Sequence, residues 1–261
     1  MTYIIAVANE KGGVGKTSTV LSLGAALVET GKEVLLIDLD PQANLSLALD
    51  IEPEKTRQSS ARILLESVSP ASVSRETGIP GLDIIPANSE LSLVERFLPI
   101  RQNYEMVLRQ ALYKNPTLYY SYIILDCPPF LGVTTYNALT AADMLIVPTQ
   151  PEFFSVHALR NMIALVKRVR KQGNPDLTYH LLITMYDKRN RIHRDLSEQL
   201  RLNFNNSVLN TIVETDTKLR ECPIAGLPII YYAPKSRSAI RYRELALEIN
   251  HYVEEEDQQP A

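Results

Sequence analysis

The chain has 261 residues, of which 45% are hydrophobic and 22% charged, so it can bury a large core without disulfide or metal support. Its formal net charge of −3 argues against a uniformly basic nucleic-acid coat protein, although it is compatible with a local basic patch. The two cysteines, Cys127 and Cys222, lie far apart without metal-ligand spacing, which is typical of packing in a reducing cytoplasm. The N-terminus lacks the layout of a signal peptide, and no stretch approaches the roughly 20 apolar residues that cross a bilayer. We therefore expect a soluble cytoplasmic protein.

Short apolar runs alternate along the chain with longer helical patterns. The runs are continuous rather than alternating in polarity, as a strand buried on both faces requires. They cover residues 3–8, 33–38, 82–87, 122–126, 144–149, 179–185 and 208–213. Helices are predicted at about residues 16–30, 102–114, 153–171, 194–204 and 236–255, and segment 50–81 is predicted to be irregular with one short helix around 61–67. This order predicts an α/β fold with a mostly parallel twisted sheet flanked by helices on both faces, in one domain spanning residues 1–261. The glycine-rich loop described next adds that the fold is of the P-loop NTPase type.

The first predicted strand leads into a glycine-rich loop with the sequence KGGVGKT, residues 11–17. Gly12, Gly13 and Gly15 would let backbone N–H groups turn inward, and the following helix would aim its N-terminus at an anion. Lys16 would neutralise the β- and γ-phosphate oxygens of a nucleotide, and the Thr17 hydroxyl would bind Mg²⁺. The alternative is a glycine-rich turn of another α/β protein, but the strand before the loop and the helix after it favour a nucleotide. The predicted nucleotide-binding residues are Lys11, Gly12, Gly13, Val14, Gly15, Lys16, Thr17 and Ser18, and the predicted cofactors are ATP and Mg²⁺.

A second lysine, Lys11, stands five positions before Lys16, and Glu10 replaces the first glycine of the usual phosphate-loop pattern. Two ammonium groups repel each other in one small phosphate site unless a polyanion lies between them. Gly12 and Gly13, which have no side chains, would leave room for a second subunit to approach. The alternative interpretation of Lys11 is a solvated loop lysine.

Three aspartates follow predicted strands at the edge where open α/β sheets bind ligands. Asp38 and Asp40 end the second strand in the sequence LLIDLDPQAN. Two carboxylates there suit one Mg²⁺ and one attacking water, whereas the alternative is that one of them caps the helix predicted near Pro41. Asp126 follows four apolar residues in YIILD, the Walker B arrangement that holds Mg²⁺ in P-loop NTPases.

These motifs resemble those of the ParA/MinD family of ATPases, whose deviant phosphate loop carries an early lysine. The resemblance continues through DLDPQAN, IIPAN, YIILDCPP, NALTAAD, VPTQPEFFSVHAL, LLITMYD and PIIYYAPKSRSA, and it is closest to short ParA/Soj-like partition proteins and McdA-like carboxysome-positioning ATPases. It implies that two subunits form a face-to-face sandwich around two ATP molecules, with Lys11 reaching the phosphates of the opposite subunit. It also implies that Asp40 positions the hydrolytic water and that Asp38 organises the water shell of the metal. The implied catalytic residues are Lys11, Lys16 and Asp40, and the implied metal site comprises Thr17, Asp38 and Asp126.

Positive charge is concentrated in the last third of the chain. Between His180 and Glu244, eleven Lys or Arg residues stand against seven Asp or Glu, a local charge of +4 in a chain of net charge −3. Such a patch favours salt-sensitive contact with DNA phosphates without base reading, and two subunits would double the contacts. The alternative is a set of solvated helix faces. The predicted DNA-binding residues are Arg189 and Lys218, which align with DNA-contacting residues in the family, together with Arg220, Lys235 and Arg237.

One departure from the family bears on this patch. Relatives typically carry a Pro-Arg pair where this chain has Glu214 and Thr215, and the next residue, Asp216, is acidic too. The change bears on the adenine side of the nucleotide site and on the strength of DNA binding.

The resemblance predicts an ATPase that is slow until a partner stimulates it. ATP would close a homodimer, the dimer would bind nucleoid DNA, and a ParB-like or other adaptor would stimulate hydrolysis, so that a plasmid, chromosome origin or organelle such as the carboxysome is positioned. One alternative is a MinD-like membrane regulator, which the acidic segment from Glu254 to Asp257 disfavours because anionic lipid repels it. Another is a nucleotide-dependent reductase subunit, which would need two suitably placed cysteines. The predicted location is cytoplasmic and nucleoid-associated, without membrane binding.

Overall fold

A single eight-stranded sheet forms the centre of the protein. The computed structural model describes residues 2–114 and 119–258. The strands are β1 (Tyr3–Val7), β2 (Val34–Asp38), β3 (Arg75–Ile79), β4 (Leu82–Ile85), β5 (Tyr122–Asp126), β6 (Met144–Thr149), β7 (Thr178–Tyr186) and β8 (Val208–Glu214). Their order across the sheet is β3-β4-β2-β5-β1-β6-β7-β8. Strand β3 runs antiparallel to β4 at one edge, and the other neighbouring pairs are parallel.

The central strands are buried on both faces, which explains their continuous apolar sequences. Along β1, Ile4 and Ala6 pack into the core on one face, whereas Ile5 and Val7 pack into the core on the other. Strands β2 and β5 alternate in the same way. The predicted fold class, a mostly parallel sheet covered by helices on both faces, is confirmed.

Helices cover both faces of the sheet. They are α1 (Lys16–Glu29), α2 (Asn44–Leu47), α3 (Ser60–Glu66), α4 (Leu91–Phe97), α5 (Val107–Tyr113), α6 (Val133–Ala141), α7 (Phe153–Gln172), α8 (Arg191–Phe204), α9 (Lys218–Ala225), α10 (Ile229–Tyr232) and α11 (Arg237–Gln258). Helices α3 to α8 contribute to one core, and α1, α2, α9, α10 and α11 contribute to the other. Within residues 2–114 and 119–258, every helix is too short or too polar to cross a bilayer.

The seven predicted strands are all present, and the long predicted helices begin and end within a few residues of their expected positions. Strand β3 was not predicted, because its sequence RETGI is polar and largely exposed at the edge of the sheet. Helix α6 was not predicted because it is buried nearly all round and shows no amphipathic period. Helix α2 begins at Asn44, three residues after the start expected near Pro41. Helices α4, α9 and α10 were missed, and α9 contains Pro223, which normally argues against a helix.

Helix α1 packs unusually close to the sheet at Gly24. A Cβ atom there would lie 2.8 Å from Cδ2 of Leu36 on β2, so only glycine fits without displacing Leu36. This close approach fixes the helix that begins directly after the phosphate loop.

The strand register brings the predicted site residues together. Strand β5 lies between β1 and β2, with Asp126 opposite both Val7 and Asp38. Because these three strands are parallel, their carboxyl ends meet at one edge, beside the phosphate loop that follows β1.

Candidate nucleotide-binding site

The phosphate loop connects β1 to α1 in an open, left-handed conformation. Gly13 and Gly15 have φ angles of 73° and 89°, which favour glycine. A Cβ atom on either residue, or on Gly12, would meet no atom within 4 Å, so the loop faces open space. The N-cap residue of α1, Gly15, provides no side-chain cap within the described part of the chain, which leaves the N–H groups of the first turn available to an anion.

Lys16, the first residue of α1, is buried with 7% of its surface exposed. Its Nζ donates a hydrogen bond to the carbonyl oxygen of Lys11 at 3.2 Å. Burial lowers the pKa of Lys16, and the nearby carboxylate of Asp126 opposes that effect. The lysine is therefore positioned at the base of the loop, next to the metal-binding aspartate predicted from the sequence.

Asp126 is a fully buried carboxylate. Both of its oxygens are inaccessible to water, and within the described residues neither accepts a hydrogen bond of normal distance and angle. Burial, together with the charge of Asp38, raises the pKa of Asp126 well above its usual range, and the nearby Thr17 hydroxyl and Lys16 oppose this rise. An unpaired buried carboxylate is costly unless a cation compensates it. Asp126, with the Thr17 hydroxyl lining the adjacent cavity, therefore fits a bound Mg²⁺.

Asp38 is fully buried as well, but its oxygens are occupied. Oδ2 accepts hydrogen bonds from the backbone N–H and the hydroxyl of Ser46, at 2.9 and 2.7 Å, and Oδ1 accepts one from the backbone N–H of Asp40 at 3.1 Å. Burial raises the pKa of Asp38 to about 6. Asp38 thus holds α2 against the end of β2, and its predicted role at the metal remains a prediction.

Asp40 lies at the cavity wall, where 7% of its surface is exposed. Its Oδ1 accepts a hydrogen bond from the backbone N–H of Gln42 at 2.9 Å, which fixes the turn leading to α2. Its position on the cavity suits a group that orients water beside a phosphate.

Lys11 stands at the rim of the loop and pairs with an acid that was not predicted from the sequence. Its Nζ lies 2.6 Å from Oε2 of Glu152, and 27% of its side chain is exposed. Its backbone N–H donates to the side chain of Asn9 at 2.9 Å. The two lysines of the loop therefore have different surroundings: Lys16 is buried beside Asp126, and Lys11 is held at the surface by Glu152.

A cavity of about 680 Å³ joins the phosphate loop to an apolar wall. Its polar or glycine lining residues are Gly12, Gly13, Gly15, Lys16, Thr17, Ser18, Ser22, Asp40 and Asn44. Its apolar lining residues are Leu21, Leu47, Ala48, Pro129, Met185, Leu219, Cys222, Pro223 and Ile229. A lining that combines the phosphate loop with many apolar side chains suits a nucleotide, whose base is flat and mostly apolar.

The predicted DNA-binding residues lie near the carboxyl ends of β7 and β8, away from the phosphate loop in the sequence. Arg189 follows β7, and Lys218 and Arg220 begin α9 after β8. The two segments are joined by a hydrogen bond of 3.0 Å from the N–H of Thr215 to the carbonyl of Tyr186. Lys218, Lys235 and Arg237 line one cavity of about 560 Å³ together with Asp216.

Comparison with known proteins identifies the family. A protein-family model described as an AAA domain matches residues 2–179. The sporulation initiation inhibitor protein Soj of Bacillus subtilis is 39% identical over 250 residues, which cover 95% of this chain and 98% of Soj. The chromosome partitioning protein ParA of Caulobacter vibrioides is 38% identical over 251 residues, covering 94% and 93% of the two chains. The chain belongs to the ParA/Soj family of P-loop ATPases.

Solved structures share the fold of this ParA/Soj-family chain. A Mycobacterium smegmatis protein described as cobyrinic acid a,c-diamide synthase, with bound ADP and magnesium, is 36% identical with a TM-score of 0.86, over 100% of this chain and 99% of that one. A plasmid partition protein of Borrelia burgdorferi bound to AMPPNP is 30% identical with a TM-score of 0.80, over 97% and 99% of the two chains. McdA of Cyanothece, at 22% identity and a TM-score of 0.83, shares the fold.

Proposed function

We propose that this chain is a positioning ATPase that forms a dimer around two molecules of ATP, binds DNA without reading its sequence, and releases DNA when an adaptor stimulates hydrolysis. The proposal rests above all on the two lysines of the phosphate loop, which occupy different surroundings at one nucleotide cavity. The names of Soj, the Caulobacter ParA and the Borrelia plasmid partition protein support a role in partition. The cargo would be a plasmid, a chromosome origin or a protein organelle.

Within one subunit, Lys16 and the loop N–H groups would hold the phosphates, as in other P-loop proteins. Thr17 and Asp126 would hold Mg²⁺, because both oxygens of Asp126 are buried and, within the described residues, neither accepts a hydrogen bond of normal distance and angle. When bound, Mg²⁺ neutralises the charge that develops on the transferred phosphoryl group. Asp40, on the same cavity, would orient the attacking water.

Between subunits, Lys11 would cross to the phosphates of the partner. Its ion pair with Glu152 has more than a quarter of the lysine side chain exposed, and exposed pairs are weak, so a polyphosphate can replace the carboxylate. ATP would then act as the shared polyanion between two loops that otherwise repel each other.

Two observations weigh against the alternatives raised by the sequence. Helix α11 ends in the exposed acids Glu254, Glu255 and Glu256, which anionic lipid repels, so a MinD-like membrane role is disfavoured. Cys127 and Cys222 are both buried and pack into the cores on opposite faces of the sheet, so one subunit does not bring together the two thiols that a shared cluster needs.

The experiment measures the mass of the protein in solution and its retention of DNA, each with ATP analogue and Mg²⁺, with ADP, and without nucleotide. We expect the mass to double and two unrelated DNA duplexes to bind equally, only with the ATP analogue. The Lys16→Ala variant is the control that should show neither effect. A protein that keeps the mass of one subunit and ignores DNA at low salt with the ATP analogue would refute the proposal.

A further inference from the structure

Three of the five predicted DNA-contacting cations are held by carboxylates of the same chain. We define the basic face as Arg189, Lys218, Arg220, Lys235 and Arg237. Its members come from segments that meet at the carboxyl ends of β7 and β8: Arg237 also approaches the carbonyl of Thr215, at 3.5 Å. The charge of this face is therefore set by neighbouring acids as well as by its lysines and arginines.

Arg189 and Asp187 form a bidentate ion pair. Its Nε and Nη2 donate to Oδ1 and Oδ2 of Asp187, each at 3.0 Å, and its backbone N–H donates to Oδ1 at 2.9 Å. These hydrogen bonds lower the pKa of Asp187 to about 2, so this acid stays charged throughout the physiological range. A phosphate that approaches Arg189 therefore also approaches a fixed negative charge.

Lys218 and Arg237 have similar partners. The Nζ of Lys218 lies 2.7 Å from Oε2 of Glu221, an oxygen that also accepts a hydrogen bond of 2.6 Å from the Tyr232 hydroxyl. The Nη1 of Arg237 lies 3.5 Å from Oε2 of Glu214. Among residues 2–114 and 119–258, Arg220 and Lys235 make no ion pair.

We propose that Asp187, Glu214 and Glu221 weaken DNA binding by the basic face, so that one subunit is not retained on DNA and two subunits joined by ATP are required. This inference rests on the proposed binding of DNA by Arg189 and its neighbours. The acids compete with phosphates for the same N–H donors, and they repel any phosphate that binds beside them.

The arrangement weakens binding without abolishing it. The Arg189 side chain is 86% exposed and that of Lys218 is 49% exposed, and ion pairs at exposed sites are readily exchanged. In water, a carboxylate about 6 Å from a phosphate weakens binding roughly threefold, or about tenfold when both subunits of a dimer bear it. A cation released from its acid would also gain a phosphate contact, which steepens the dependence of log K on log salt by about 0.9 per contact.

The test compares Asp187→Asn, Glu214→Gln and Glu221→Gln with the wild type, by fluorescence anisotropy of a labelled duplex over a range of salt, with ATP analogue and Mg²⁺. Glu66→Gln is the matched control, because it removes the same charge from another exposed ion pair, the 2.9 Å pair with Arg62 on α3, far across the sheet. We expect the first three variants to bind about tenfold more tightly than the control at equal salt. The variant with all three changes should also retain DNA without nucleotide.

The outcomes separate this inference from the proposed function. If the wild type binds DNA with the ATP analogue and the three variants bind no more tightly than Glu66→Gln, the attenuation is refuted while DNA binding stands. If neither the wild type nor any variant binds DNA, both are refuted. Each variant replaces a carboxylate by its amide at a different position, so a local structural change at one position would not affect the other two. Thermal unfolding checks that each variant is folded.

Discussion

Replacing Asp126 by Asn should stabilise the protein without nucleotide and abolish its Mg²⁺-dependent binding of ATP. The side chain is fully buried, and within the described residues neither oxygen accepts a hydrogen bond of normal distance and angle. At pH 7 the free energy that burial of the charged side chain costs the wild type is at most about 4 kcal/mol, the cost of protonating a carboxyl of pKa 3.8. An unpaired buried amide costs about 1 to 3 kcal/mol, so the net gain is at most about 3 kcal/mol. In a chain of this size we therefore expect Tm to rise by a few degrees.

The pH dependence of this effect has a definite sign. Burial raises the pKa of Asp126 in the folded state, so the wild-type penalty is absent below pH 3.8 and grows as the pH rises above it. The advantage of the Asn variant should therefore be largest at neutral pH and shrink towards pH 4.

The assay is thermal unfolding in the presence of a chelator, combined with titration of a fluorescent ATP analogue with and without Mg²⁺. Asp143→Asn is the control, since burial raises the pKa of Asp143 too, but its two oxygens accept hydrogen bonds from the Ile4 N–H at 2.7 Å and the Tyr113 hydroxyl at 3.0 Å. That variant should gain less stability than Asp126→Asn, because the amide nitrogen replaces one accepting oxygen and the lost hydrogen bond offsets the relief of burial. Destabilisation by Asp126→Asn, or binding of ATP that still responds to Mg²⁺, would show that Asp126 is not the metal ligand.

Three further predictions concern single residues. Lys16→Ala should abolish binding of a fluorescent ATP analogue, whereas Lys11→Ala should spare that binding and remove the ATP-dependent dimerisation of the variant with itself, or its turnover. Equal affinity losses in both would contradict the division of roles. Asp40→Ala should trap an ATP-bound dimer on DNA, and normal phosphate release would show that another group orients the water. Gly24→Ala should lower the free energy of unfolding by about 1 kcal/mol. Crowding against Leu36 costs about 1 to 3 kcal/mol, and the higher helix propensity of Ala recovers about 1 kcal/mol. An unchanged unfolding midpoint in denaturant would mean that Leu36 moves aside without cost.

The fold was predictable wherever burial left a regular pattern in the sequence. Continuous apolar runs such as YIILD mark strands covered on both faces, and all seven predicted strands are present. Strand β3 escaped prediction because an exposed edge tolerates polar residues, and α6 escaped because burial on all sides removes the helical period. Both misses have the same cause: periodicity reports the contrast between a buried and an exposed face.

The site was predictable where residues adjoin a strand end and less so where partners come from elsewhere in the chain. Lys16, Asp38 and Asp126 could be placed because the carboxyl ends of parallel strands meet. The ion pair between Lys11 and Glu152 joins residues 141 positions apart, and no local sequence pattern predicts it. The sequence VPTQPEF places an acid three residues after the end of β6, and β6 lies beside β1, so the strand order is the signal that could have identified Glu152.

The central claim, that Lys11 acts on the nucleotide of the partner subunit, can be tested by mixing two inactive variants. Each dimer formed from one Lys11→Ala subunit and one Asp40→Ala subunit binds two ATP molecules, and one site then combines its own Asp40 with Lys11 of the other chain. Our account predicts that neither variant alone hydrolyses ATP and that the mixture regains steady phosphate release. A mixture as inactive as its two components, under conditions where mixed dimers are shown to form, would contradict it.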